Sequence, residues 1–126
     1  MRTAMRTATS GSPSGTKAQV FRTRESNIVT AIAGYLQVME RMGKCVYQRN
    51  NTGGFKDDRN RVYRFGREGS PDFYVFLANG RTLHLEVKNE KGKQRESQVR
   101  YQEAVEKLGH EYCLVRSVDE VMEMVK

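Results

Sequence analysis

Two short segments constrain the fold of this chain more than anything else in it. Gly69-Ser70-Pro71-Asp72 leads into the apolar run Phe73-Tyr74-Val75-Phe76-Leu77, and after Ala78-Asn79-Gly80 comes Thr82-Leu83-His84-Leu85-Glu86-Val87-Lys88. Two apolar runs joined by a Gly-containing connection read as a β-hairpin. Side chains alternate along a strand, so Leu83, Leu85 and Val87 take one face, a core face, and His84, Glu86 and Lys88 take the other. The second face carries a carboxylate and an amine two residues apart, where burial is costly unless the charges are paired or used.

The turn decides where Asp72 points. A two-residue Asn79-Gly80 loop would pair Ala78 with Arg81 and set Asp72 against Val87, off the face of Glu86. A three-residue Ala78-Asn79-Gly80 loop, a type I turn plus bulge with Gly80 left-handed, pairs Leu77 with Arg81 and sets Asp72 opposite Glu86. The second is the expected arrangement. Two carboxylates that close repel unless a cation lies between them. Lys88 supplies one charge and a divalent metal would supply two more, with hard oxygen ligands and room for water suiting magnesium.

Pro-Asp, a spacer and then Glu-x-Lys is the pattern of the PD-(D/E)XK nucleases. The form here, Gly69-Ser70-Pro71-Asp72 with Glu86-Val87-Lys88 and then Gln98, resembles the stand-alone, phage and bacterial type of the VRR-NUC branch. The likeness covers roughly residues 66–118. It includes Gly109, which follows the second helix, and the strand after it. The resemblance implies a restriction-endonuclease-like α/β core, a central mixed β-sheet flanked by helices. It implies a site in which Asp72, Glu86 and the Val87 carbonyl hold Mg2+, with Mn2+ as a substitute. Lys88, Gln98 and Glu25 would complete it. It also implies a homodimer that cuts branched DNA, in the cytoplasm of a bacterial or phage-infected cell. The long basic loop and tail before the motif depart from the family pattern.

Length and cysteine usage agree with this. A chain of 126 residues is one domain. Cys45 and Cys113 match no zinc spacing and read as reduced strand residues of a cytosolic protein. No apolar stretch is long enough to span a bilayer. The net charge of +7 is unevenly placed. Residues 41–67 hold eight basic and two acidic residues, and residues 1–24 five basic and none acidic. Residues 68–126, which carry the motif, hold nine basic and eleven acidic. Basic flanks beside a slightly acidic site suit a polyanionic substrate.

Residues 1–22, rich in Ser, Thr, Gly and Arg, are expected to be a disordered basic tail, with the nuclease-like domain over residues 23–126. A tail that touches nucleic acid, or a true start at Met5, fits this segment better than a transit peptide, since no amphipathic pattern is present. Residues 24–42 read as a helix, with Ile28, Ile32, Tyr35, Leu36, Met39 and Met42 at helical spacing, Thr23 as cap and Gly43 as stop. Glu25 falls on its apolar side. It either favours the helix dipole or reaches the metal site, directly or through water.

Residues 45–49 read as a strand, residues 50–60 as a polar loop, and residues 61–65 as a short strand or extended arm. Arg49, Lys56, Arg59, Arg61, Arg64 and Arg67 are interleaved there with Tyr47, Phe55, Tyr63 and Phe65. Such a mixture suits phosphates and unstacked bases, or else the aromatics are core and the arginines solvated. Residues 94–108 read as a helix with Gln98, Tyr101, Val105 and Leu108 on one face, crossing to a parallel strand at residues 111–116. Gln98 either serves the site or bonds to backbone. Ser117 and Glu120 form a capping box for a last helix. His84 and His110 read as structural.

The expected function is a magnesium-dependent DNA endonuclease, structure-selective on branched DNA such as Holliday junctions or flaps. The alternatives are a nuclease-fold module that binds DNA without cutting it, and an RNA nuclease.

Overall fold

In the computed structural model, residues 24–125 are described; the tail over residues 1–22 and the cap at Thr23 lie outside them. Helix α1 spans Glu25–Arg41, with Arg24 at its N-cap and no side-chain cap bond. Ile28, Val29, Ile32 and Leu36 form its buried stripe, while Met42, expected on that stripe, is exposed. Gly43 ends it at a φ of 75°. The Gly43 amide bonds to the Glu40 carbonyl and the Lys44 amide to that of Met39, the paired closure of a Schellman motif.

Four strands make the central sheet. They are β1 (Val46–Arg49), β4 (Phe73–Phe76), β5 (Thr82–Val87) and β6 (Glu111–Val115), in the order β1-β4-β5-β6. Strands β2 (Gly53–Lys56) and β3 (Val62–Phe65) form a separate two-stranded hairpin. Part of the expected polar loop over residues 50–60 is therefore a strand. Glycine is a poor strand former, but here its bareness is what permits pairing. A Cβ on Gly54 would lie 2.7 Å from the Tyr63 carbonyl oxygen.

β4 runs antiparallel to both β1 and β5. β5 and β6 are parallel, and helix α2 (Glu96–Lys107) makes the crossover between them as the sequence predicts. α2 starts later than expected, and Leu108 is 77% exposed at its end rather than lining its inner face. Helix α3 spans Val118–Val125. Ser117 Oγ accepts the Glu120 amide, while the Glu120 carboxylate reaches back to the Arg116 amide, one residue before the expected position.

The core lies between the sheet and helices α1 and α3. It joins Ile32 and Leu36 to Phe73, Val75, Leu83, Leu85, Val87 and Val115, with Val121 and Val125 from α3. On β5 the residues of the opposite face, His84, Glu86 and then Lys88 beyond its end, are buried too. A strand covered on both sides has polar groups on its second face only where partners meet them.

At the turn, Leu77 donates its amide to the Arg81 carbonyl at 2.8 Å, the pairing that brings Asp72 into line with Glu86. Gly80 has a φ of 75°, but Asn79 is left-handed as well, at 64°. These are the conformations of a type I′ Asn-Gly pair rather than a type I turn. The Arg81 amide bonds back to Ala78 at 3.4 Å, so Leu77 and Ala78 share Arg81 and the extra residue is a bulge. The register survives through this combination of a two-residue turn and a bulge.

Among the described residues, no helix is long and apolar enough to cross a membrane.

Candidate active site

Register and loop geometry bring the site together. The paired ladder ends at Phe73 and Leu85, which leaves Asp72 one step beyond, in line with Glu86. Asp72 Oδ2 accepts the Val87 amide at 2.7 Å, so its side chain ties itself to the strand that carries Glu86 and Lys88.

The approach to Asp72 is built by two residues. Gly69 has a φ of 88°, and a Cβ there would collide with the backbone of Ser97 in the first turn of α2. Only glycine lets this loop press against the helix that supplies Gln98. Asn50, after β1, donates its side-chain amide to both Ser70 Oγ and the Pro71 carbonyl at 2.8 Å, and its backbone amide to the Asp72 carbonyl at 2.8 Å. Nothing in the sequence marks Asn50, because its partners lie twenty residues away in the chain.

Glu86 is the centre of the arrangement and is 2% exposed. Its Oε2 accepts from Gln98 Nε2 at 2.7 Å and lies 3.6 Å from Lys88 Nζ. Its Oε1 is buried with no hydrogen-bond partner. Burial first, and then the nearby Asp72 charge, push the Glu86 carboxyl up to about 8; Lys88 opposes the shift and Glu25 adds to it. Asp72 is close enough for the two carboxyls to share a proton. Such a pair calls for a proton or a cation.

Gln98 bonds both to backbone and to a side chain of the candidate site. Its Oε1 accepts the Arg95 amide at 2.8 Å, which satisfies a backbone donor at the start of α2, and its Nε2 serves Glu86. Gln98 is the only residue of α2 that is fully buried. Glu25, the first residue of α1, influences Glu86 through its charge. Among the described residues, no group of three or more His, Cys, Asp or Glu side chains is arranged to hold a metal ion. The carboxylates that converge here are the pair Asp72 and Glu86. Val87 lies between Glu86 and Lys88, its amide already engaged by Asp72.

The six basic residues divide into two groups. Arg49 and Arg67 belong to the body of the domain: Arg49 lies 5.8 Å from the centre of the Phe73 ring and Arg67 5.6 Å from that of Tyr101. Lys56 and Arg64 are on β2 and β3, and Arg59 and Arg61 are at the turn between them. Arg61 is engaged by Asp57 at 2.7 Å. Phe55, Tyr63 and Phe65 are exposed, so they are not core. Beneath α2, His84 is buried with its Nδ1 3.0 Å from the Glu111 carbonyl oxygen, between the rings of Tyr74, Tyr101 and His110. This is a structural role. Burial lowers its pKa, which favours the neutral ring.

A mixed four-stranded sheet, a crossover helix over one face, and Asp, Glu and Lys converging at the hairpin's open end define an α/β domain of nuclease-like architecture. A solved structure described as a VRR_NUC domain has the same fold: it matches with a TM-score of 0.56 and 24% sequence identity, over 82% of this chain and 96% of that one. The chain thus has the VRR-NUC fold that its motif residues suggested. No family model matches the sequence, and no curated protein is similar to it.

Proposed function

We propose that the protein is a magnesium-dependent nuclease that hydrolyses phosphodiester bonds in DNA. The observation that carries this reading is the buried, unpartnered Glu86 Oε1 beside Asp72 and Lys88. A carboxylate pair of hard oxygen donors, one of them lacking any partner, fits a magnesium ion that keeps several of its waters. Asp72, Glu86 and the Val87 carbonyl would hold it. Bound there, the ion would offset the repulsion of the pair, polarise the phosphoryl oxygen and make water a better nucleophile at neutral pH.

The chain's own residues do the remainder. Gln98 holds one oxygen of Glu86 in place and thereby aims the other. Asp72 is oriented by the Val87 amide. Lys88, anchored at 3.6 Å from Glu86, orients the attacking water and stabilises negative charge growing on the phosphate. Glu25 adds negative charge at the edge of the site. Arg49 and Arg67 flank it and would position the backbone of the substrate.

The preferred substrate in this reading is branched DNA, such as a four-way junction or flap, cut by a homodimer that presents two sites at a fixed separation. The test is a panel of duplex, flap, junction and single-stranded DNA with magnesium, alongside sedimentation of the same protein. Metal-dependent cleavage that disappears in Lys88→Ala supports the nuclease reading. Binding without cleavage on every substrate would identify a non-cutting module instead. Equal cutting of junction and linear duplex by a monomer would remove the preference for branches.

A further inference from the structure

The β2–β3 hairpin stands apart from the core, and all eight of its strand residues are exposed. An isolated two-stranded hairpin is marginal in water, and this one is held by its own side chains. At its turn, Asp57 accepts the amides of Arg59 and Arg61, the Arg61 guanidinium and the Tyr63 hydroxyl.

The register sorts its residues by chemistry. Gly53 pairs with Phe65 and Phe55 with Tyr63, which puts three rings on one face. Lys56, Val62 and Arg64 take the other. Phe55 and Tyr63 are stacked, with centroids 5.0 Å apart and planes at 17°. Phe65 lies over Gly53, where a Cβ would come within 2.9 Å of its ring. Even so, Phe55, Tyr63 and Phe65 remain 58%, 41% and 51% exposed.

The stack of Phe55 on Tyr63 helps hold the ribbon. It does not account for Phe65, which covers only a glycine. Charge indicates what would cover the strip. Residues 41–67 carry eight basic and two acidic residues, so the segment repels a second copy of itself and attracts a polyanion. Aromatic rings in a basic setting favour nucleobases, and bases within a duplex are already stacked on each other. The gain is therefore largest for an unpaired base. From the end of β3 at Phe65 the chain turns through residues 66–71 to reach Asp72.

We propose that the aromatic face of the β2–β3 hairpin is a stacking platform for an unpaired nucleobase of DNA, with the net positive charge of residues 41–67 attracting the strand that carries it. The proposal rests on the nuclease reading for its choice of substrate. It links that reading to branched DNA, where bases at the branch are open to capture.

The test uses the full chain in metal-free buffer, so that binding is measured whether or not the protein cuts. The probe is DNA carrying 2-aminopurine, either unpaired in a single-stranded gap or paired in a matched duplex. The parent protein quenches the unpaired probe by stacking. Phe55→Leu and Phe65→Leu keep apolar bulk but remove the ring. Each is expected to abolish the quenching and weaken binding to gapped DNA about 5- to 150-fold, the range that follows from removing one base–aromatic stack. Binding to matched duplex is expected to stay within about twofold. Lys56→Glu with Arg64→Glu should weaken both forms alike. Phe65→Leu answers the question even if Phe55→Leu unfolds the hairpin, because Phe65 takes no part in the stacked pair. Unchanged quenching and affinity in Phe65→Leu would overturn the proposal. So would conversion of a dimer to a monomer by that change with quenching intact. Neither outcome touches the nuclease reading, which stands or falls on Lys88→Ala cleavage with magnesium.

Discussion

Gln98 Nε2 donates to Glu86 Oε2 at 2.7 Å while Gln98 Oε1 accepts the Arg95 amide at 2.8 Å. One side chain thus ties the start of α2 to the centre of the candidate site. Gln98→Ala leaves Glu86 Oε2 with Lys88 alone and an amide at the start of α2 without its acceptor. Removing buried hydrogen bonds of this kind costs about 1–3 kcal/mol. The expected outcome is a lower midpoint in urea together with slower cleavage. A variant as stable and active as the parent would show that the bond does neither job.

Glu86 also makes stability depend on pH. Its folded pKa is raised from 4.5 to about 8, chiefly by burial. The folded state therefore binds the proton more tightly than the unfolded chain does. The resulting stability is fully present below about pH 4.5 and is lost as pH rises through about 8. In metal-free protein, thermal unfolding should show this decline, and Glu86→Gln should remove that part of it. Magnesium bound as proposed would displace the shared proton, so its affinity should rise across the same window. A flat difference between parent and Glu86→Gln from pH 5 to pH 9 would contradict the raised pKa.

The three charged residues separate by role. Asp72→Ala and Glu86→Ala should weaken magnesium binding and abolish cleavage, by isothermal titration and gel assay. Lys88→Ala should abolish cleavage yet retain both metal and DNA binding if, as proposed, its charge serves the reacting phosphate and water. All three variants should remain folded by circular dichroism. Parental cutting by all three would place the activity elsewhere.

Gly69 and Gly80 share a left-handed backbone but differ in surroundings. Nothing lies within 4 Å of a Cβ built on Gly80, whereas one on Gly69 would strike Ser97. Gly80→Ala should cost about 1–2 kcal/mol, the strain of the backbone alone, and leave cleavage unchanged. Gly69→Ala should cost more and also slow cleavage, because it pushes the Asp72 loop away from α2. Equal effects of the two changes on stability and activity would refute the packing account.

DNA binding should be tolerant of sequence and steep in salt. If Arg49 and Arg67 hold the substrate as proposed, their contacts are to phosphates, which position a protein without reading bases. Removing one phosphate-binding side chain should flatten the slope of log affinity against log salt by about 0.9 on duplex DNA. Arg67→Ala should do so by about one such step. An unchanged slope would place Arg67 outside the interface.

Strand parity made much of the site legible. Glu86 and Lys88 must share a face in any strand, and the Leu77–Arg81 pairing brings Asp72 to them. The stops at Gly43 and Gly109, and the crossover through α2 to a parallel β6, followed from equally local rules. The turn was legible in register but not in conformation. Asn79 adopts the left-handed form its neighbour Gly80 also takes, and a bulge at Leu77 and Ala78 restores the alignment.

Sequence by itself determined which residues could meet, because that follows from periodicity along the chain and from turns a few residues long. Only the tertiary structure decided which of them are covered. By sequence Phe55, Tyr63 and Phe65 could be core or could meet nucleic acid; the hairpin that holds them pairs with itself and leaves them in water. Gln98 falls on the inner face of α2 by sequence, but only the packing of that helix shows that its partner is Glu86. Asn50 carries no local signal, and the motif that contains Gly69 does not reveal what that glycine meets; their roles arise from packing against Ser70, Pro71 and Ser97. Burial, and the pKa shift at Glu86 that follows from it, is a property of what packs above a residue, and distant parts of the chain supply that.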